Sequence, residues 1–172
     1  MTIALATKIT VPQEQVLAPV PAYCPLSPKY SDLSTMEISE RSATAVLDGA
    51  PYTTVIKSRG LEAMADEPDD HGGADKGMRP HELLLGALAS CTAITVRMYA
   101  DRKQWNTGAI TVTASLERSQ EGRTVESRIH LELEIANTLP PDQRDRLLQI
   151  AGMCPVHRTL QSPIHISKSL KA

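Results

Sequence analysis

The run from Pro80 to Gln104, PHELLLGALASCTAITVRMYADRKQ, constrains this chain more than any other stretch. Gly86 is its only helix breaker after Pro80, so about 24 residues are expected to continue as one helix roughly 36 Å long. Leu84, Leu88, Cys91, Thr95 and Met98 recur at i, i+3 and i+4 spacing, which predicts a single apolar stripe. Gly86, Ala87, Ala89, Ser90 and Ala93 are small, so a neighbouring backbone can approach on more than one side. No charge follows Glu82 until Arg97, and Asp101, Arg102 and Lys103 then crowd the last turns. The expectation is a helix buried at its start and solvated at its end, with cations at the negative pole of its dipole. A thiol inside such a helix, Cys91, is either core filler or the reason the helix exists.

A chain of 172 residues suits one domain with an added arm. Its core must be aliphatic, because it has no Phe and only 3% aromatic residues. With a net charge of −2 it has no electrostatic footprint for nucleic acid, and the scarce aromatics give few stacking platforms for single strands. No apolar run reaches the roughly 18 residues that a membrane span needs, and the N-terminus does not read as a secretory signal. The three cysteines, Cys24, Cys91 and Cys154, are too few and too spread for a disulfide scaffold. These features together point to a cytoplasmic protein with reduced thiols, no membrane anchor and no nucleic-acid partner.

Residues 1–40 hold Pro12, Pro19, Pro21, Pro25 and Pro28 and little periodicity, and read as an extended Pro-rich arm, loosely ordered or laid across a neighbour. Cys24 within it has no flanking cation and reads as an incidental thiol. Residues 41–172 form the domain. SATAVLDGAPYTTVIKS predicts two short strands around the Asp48-Gly49 turn, and Arg59-Gly60 turns the chain into a third, LEAMAD. The acidic loop EPDDHGGADKGM lacks the spacing of a calcium loop and reads as solvated surface. After the long helix, Ile110, Val112, Ala114 and Leu116 alternate, as do Ile129, Leu131, Leu133 and Ile135, which predicts an antiparallel pair of half-buried strands. Pro140-Pro141-Asp142 opens a second, shorter helix with Leu147, Ile150, Ala151 and Cys154 on one face, stopped by Pro155. SPIHISKS predicts a final strand. The fold class expected is α+β: antiparallel sheets with a long central helix and a second shorter one.

Both domain cysteines thus lie on the inward faces of helices. Burial raises a thiol's pKa because the thiolate loses its hydration, so a reactive Cys91 needs a cation or donors brought from elsewhere. Cys154, expected at a helix C-terminus, is disfavoured further as thiolate, with His157 and Arg158 as possible compensation. If the thiols act together, Cys91 is the better first attacker and Cys154 the resolving partner. The competing reading is that both are ordinary buried packing. Cys154-Pro-Val-His157 is half of a zinc site, yet no second half stands near it, and no Gly-x-Ser-x-Gly elbow suggests a serine hydrolase.

PHELLLGALASCTAITVRMYADRKQW, followed about fifty residues later by QRDRLLQIAGMCPVHRTL, resembles the osmotically induced protein C and organic hydroperoxide resistance superfamily, over about residues 42 to 170. The resemblance implies an intertwined homodimer with sites at the subunit interface, and a thiol-dependent peroxidase acting on organic hydroperoxides without metal or organic cofactor. It implies Cys91 as the peroxidatic thiol, oxidised to sulfenic acid, Cys154 as the resolving thiol, and a dithiol reductant, lipoylated protein in the well-studied branch. In the hydroperoxide branch a Glu directly follows the proline that opens the helix and orients an activating Arg. Here His81 holds that place and Glu82 comes one later, about 900° of helix rotation from Cys91 and so on the opposite face. For the activating cation the candidate is Arg59, with Arg79 behind it. A second function class stays open: a non-catalytic module of the same fold that holds a hydrophobic small molecule at the dimer interface.

Overall fold

The computed structural model describes residues 7–10 (backbone only), 41–49 and 51–171, so Cys24 lies outside the described residues. In chain order the elements are β1 (Thr7–Thr10), β2 (Thr44–Leu47), β3 (Thr54–Ser58), β4 (Leu61–Ala65), α1 (Pro80–Arg102), β5 (Ile110–Glu121), β6 (Thr124–Ile135), α2 (Pro141–Ala151) and α3 (Pro155–Gln161). Two three-stranded antiparallel sheets, β1-β6-β5 and β2-β3-β4, combine with the helices into an α+β fold. The chain divides into two compact units. The smaller carries β2 to β4 and ends at Arg79; the larger holds β1 and everything from Pro80 onward.

In the smaller unit the expected strands around Asp48-Gly49 and after Arg59-Gly60 are present and pair in sequence. Arg59 and Gly60 have φ of 50° and 78°, the paired left-handed geometry that matches strand twist in a two-residue hairpin. The acidic loop is surface, as expected, with none of residues 67–78 buried, and it is pinned at its base. Asp66, buried at the end of β4, accepts hydrogen bonds from the Thr53 hydroxyl at 2.9 Å and from the backbone N–H of Glu67 at 2.8 Å and Lys76 at 3.2 Å. Burial pushes its carboxyl up, but these donors outweigh it and hold the group below the usual carboxylate range. The chain returns beside β4 through an Ala65–Met78 bridge, which requires Gly77: a Cβ there would stand 2.6 Å from the Met64 carbonyl carbon.

In the larger unit, the core gathers Val96 and Ala100 of α1, Leu133 and Ile135 of β6, Leu139, and Leu147, Ile150 and Ala151 of α2. It is aliphatic, as the composition requires, with Tyr99 and Trp105 packed edge to face at its margin. The long helix starts at Pro80 as expected and stops at Arg102. Trp105 N–H bonds the Ala100 carbonyl and Gln104 N–H the Asp101 carbonyl, a Schellman closure with Gln104 at φ 57° in the place glycine usually takes.

Five expectations are corrected here. First, burial along α1 runs the other way: Leu88, Thr92, Thr95, Val96 and Ala100 are buried, whereas residues 80–82 and Leu84 at the start are exposed. The buried stripe is therefore rotated from the one through Leu84 and Met98, because the helix packs its later turns on β5, α2 and α3. Second, α1 is long and apolar enough to cross a membrane by length and composition, although its buried stripe serves the core. Third, the second helix does not reach Cys154. Gly152 ends α2 and Pro155 opens α3 instead of stopping a helix, since proline is favoured at the first helical position. Fourth, the segment SPIHISKS is not a strand, and Ile164 and Ile166 are exposed; a strand needs an edge to bond, and it pairs with no strand among the described residues. Fifth, part of the Pro-rich arm is sheet: Thr7–Thr10 pairs antiparallel with Glu132–Ile135.

Candidate functional site: two thiols between α1 and α3

Cys91 lies near the middle of α1, half-buried, and Cys154 is the N-cap of α3, fully buried. α1 packs directly on α3, which brings Cys154 near enough to Cys91 to influence its ionisation; neither is in a disulfide. Cys154 leaves α2 in extended geometry, ψ 142°, and its sulfur caps the new helix by accepting the His157 N–H at 3.2 Å. It thus stands at the positive start of a helix, not at the negative end where the sequence placed it. The compensation expected from His157 comes through the backbone. A second donor reaches the same sulfur: the buried Thr92 hydroxyl, at 3.4 Å.

Cys91 is held differently. Burial pushes its thiol up, the Val156 N–H draws it down, and the Cys154 thiol pushes it up again, leaving it above the ordinary thiol value. Thr95 adds a smaller lowering influence, though its hydroxyl hydrogen is directed to the Cys91 carbonyl at 2.8 Å. No guanidinium is among these influences. At rest Cys91 is therefore a protonated thiol.

Glu82 is exposed in the first turn of α1, and the helix is unbroken between it and Cys91, so nine residues of helix leave the two on opposite faces. Arg59 is exposed at the β3–β4 hairpin tip in the smaller unit, and Arg79 lies 3.9 Å from Glu67 there. Among the described residues no three His, Cys, Asp or Glu side chains gather as a metal site.

The sequence profile of a family described as OsmC-like protein matches residues 72–168, spanning both cysteines. This chain belongs to the OsmC-like family. Among solved structures, an OsmC like protein from Mycoplasma pneumoniae is 23% identical, with a TM-score of 0.58 over 73% of this chain and 89% of that one. An organic hydroperoxide resistance protein from Elizabethkingia anophelis is 22% identical, with a TM-score of 0.56 over 73% and 91%. The organic hydroperoxide resistance protein OsmC from Legionella pneumophila is 15% identical, with a TM-score of 0.55 over 73% and 92%. At such identities the likeness shows the fold. No curated protein matches the chain.

In this OsmC-like chain, sequence reasoning missed Thr92 and the two α3 amides. Thr92 carried a signal, being adjacent to Cys91 and one residue nearer the buried stripe. The amides carried one too: Cys-Pro reads as an N-cap followed by a first-turn proline as readily as a helix stop.

Proposed function

We propose that this protein is a cytoplasmic, homodimeric thiol peroxidase that reduces organic hydroperoxides. The Cys91 thiolate attacks the peroxide oxygen, the O–O bond breaks, and the alcohol leaves with a proton while Cys91 becomes sulfenic acid. Cys154 then attacks the Cys91 sulfur; the S–O bond breaks, water leaves, and a disulfide forms. An external dithiol, such as a lipoylated protein, returns both sulfurs to thiols. The observation that carries this reading is a pair of reduced cysteines on packed helices, one half-buried and one sealed, with the second thiol influencing the first. The raised Cys91 thiol needs a cation to react. Arg59 is the proposed source, and Glu82, on the far side of α1, is proposed to orient that cation rather than meet the thiol. Support for the homodimer comes from α1, where Leu84, Ile94 and Met98 are 40%, 59% and 50% exposed in the single chain.

Oxidation by one equivalent of cumene hydroperoxide, followed by mass spectrometry of the Cys91 and Cys154 peptides, tests the proposal. The expected product is the Cys91–Cys154 disulfide. Thiols that stay reduced would sink it. Cys91→Ser should abolish turnover, and Cys154→Ser should react once and stop at sulfenic acid; steady cycling by Cys154→Ser would refute the resolving role.

The second reading, a non-catalytic module binding a hydrophobic small molecule between subunits, is favoured by one observation: the thiol that must ionise is pushed up with no guanidinium among its strongest influences. A peroxide-inert Cys91, together with saturable binding of an apolar fluorophore to the dimer, would select it.

A further inference from the structure

A threonine hydroxyl inside a helix ordinarily bonds back to the carbonyl three or four residues earlier. Thr95 does this, donating to the Cys91 carbonyl. Thr92, one turn away and 1% exposed, donates across the helix interface to the Cys154 sulfur at 3.4 Å. With the His157 N–H at 3.2 Å, the sulfur has two donors in a site sealed from solvent. Sulfur accepts weakly when it is a neutral thiol and strongly as thiolate, so both bonds strengthen as negative charge gathers on it during reaction.

We propose that Thr92 is a positioning residue that acts through Cys154, holding the negative charge on that sulfur in the two steps where Cys154 is the attacking or the leaving group. This rests on the peroxidase reading and adds a direction to each step. In resolution, the Cys154 thiolate attacks the Cys91 sulfenic acid: the S–S bond forms, the S–O bond breaks, and the hydroxide takes a solvent proton and leaves as water. In reduction, one thiolate of the external dithiol attacks the Cys91 sulfur, which is also the exposed one. The S–S bond breaks and Cys154 leaves as a thiolate received by Thr92 and His157. The dithiol's second thiol then attacks its own mixed disulfide, releasing Cys91 and a disulfide of the reductant. The mixed disulfide therefore forms on Cys91, not on Cys154.

Thr92→Val keeps the shape and removes the donor; Thr92→Ser keeps the donor. Loss of one of two donors leaves the charge developing on the reacting sulfur less well held, a cost of about threefold in rate for one hydrogen bond of ordinary strength. In full-length protein oxidised by cumene hydroperoxide, the sulfenic-to-disulfide step of Thr92→Val should slow about threefold relative to formation of the sulfenic acid below pH 8. Its rate-against-pH limb should move to higher pH, and Thr92→Ser should restore both. A slowing that is the same at every pH, or shared by Thr92→Ser, marks packing and overturns the proposal. A second measurement needs no peroxide: the equilibrium of the Cys91–Cys154 pair with dithiothreitol. In Thr92→Val it should shift severalfold toward the disulfide at pH 9, where the reduced thiolate counts, and little at pH 6. Wild-type thiols inert to peroxide would remove the peroxidase reading, while the dithiothreitol equilibrium still decides Thr92: an identical shift at both pH values, or none, overturns it.

Discussion

The two halves of α1 invert the usual relation between composition and burial. From Leu83 to Ala93 the helix has no charged side chain, yet Leu84 and Ala87 are exposed and only Leu88 and Thr92 are sealed. From Ile94 to Arg102 it carries Arg97, Asp101 and Arg102, yet Thr95, Val96 and Ala100 are buried. The later half can combine charge and burial because its charged groups leave on one side: Arg97 bonds the Gly108 carbonyl and Asp101, and Arg102 bonds the Met98 carbonyl. The earlier half is apolar on faces that the single chain does not cover. Cys91 stands where the halves meet, which gives it partial exposure and leaves its ionisation under the influence of Cys154. A helix of this kind has one half that builds the core and one half whose composition fits a second surface.

The largest effect expected at that junction concerns pH. The Cys91 thiol is raised, chiefly by burial, so its alkylation by iodoacetamide in the single-chain environment should climb about tenfold per pH unit through the ordinary thiol range and level off only above it. The sign for stability follows: a raised folded pKa contributes stability that is complete below the unfolded thiol's pKa and is lost as pH rises through the folded one. Denaturation midpoints should therefore fall at alkaline pH in wild type more than in Cys91→Ser. An alkylation profile that levels off near neutral pH would mean that a cation reaches Cys91, and would move the junction from the packed half to the reactive one.

Next in size is the core half. Val96 is fully buried, and Val96→Ala should cost about 2 kcal/mol in urea unfolding, through lost apolar burial and the cavity left behind. A loss below about 0.5 kcal/mol would show that the later half is not the anchor.

How much of this was legible in the sequence depends on which interaction decided each feature. Local rules fixed the start of α1 at Pro80, the β3–β4 turn at Arg59-Gly60 and the β5–β6 hairpin, and all three stand in the structure. The phase of α1 was not local. Leu84 and Leu88 are equally apolar, and only the packing of β5, α2 and α3 chooses between them. Pro155 is compatible with stopping one helix or starting another, and Gly152 settled it three residues earlier. Ile164 and Ile166 alternate as a strand does, but pairing depends on an available edge, which a periodicity does not supply. At the candidate site the two cysteines could be singled out by their helical positions, whereas one of the two donors to Cys154 arises from α3, a helix hidden because Pro155 reads as a stop.

The closure of α1 gives a smaller effect. Gln104 adopts φ 57° at a position where glycine carries no steric penalty, so Gln104→Gly should stabilise the protein by about 1 kcal/mol, less glycine's extra unfolded-state entropy. Loss of stability would mean that the Gln104 side chain matters to the end of the core half.

The smallest effect on folding, and the sharpest test of the comparison, is Ile94→Ala. Ile94 is 59% exposed on α1, between buried Thr92 and Thr95, so its truncation should change the unfolding free energy of the single chain by less than about 0.5 kcal/mol. If the uncovered side of α1 is an interface between copies, the same substitution should weaken association, and the sedimentation coefficient should fall toward that of a monomer at lower dilution than in wild type. Val96→Ala should do the reverse, costing folding stability while leaving association of the folded chains nearly intact. Should Ile94→Ala destabilise the single chain as much as Val96→Ala, the two faces are one core and the contrast fails. Should it alter neither folding nor association, the apolar exposure at that point is incidental, and the second surface must be sought around Leu84 and Ala87 instead.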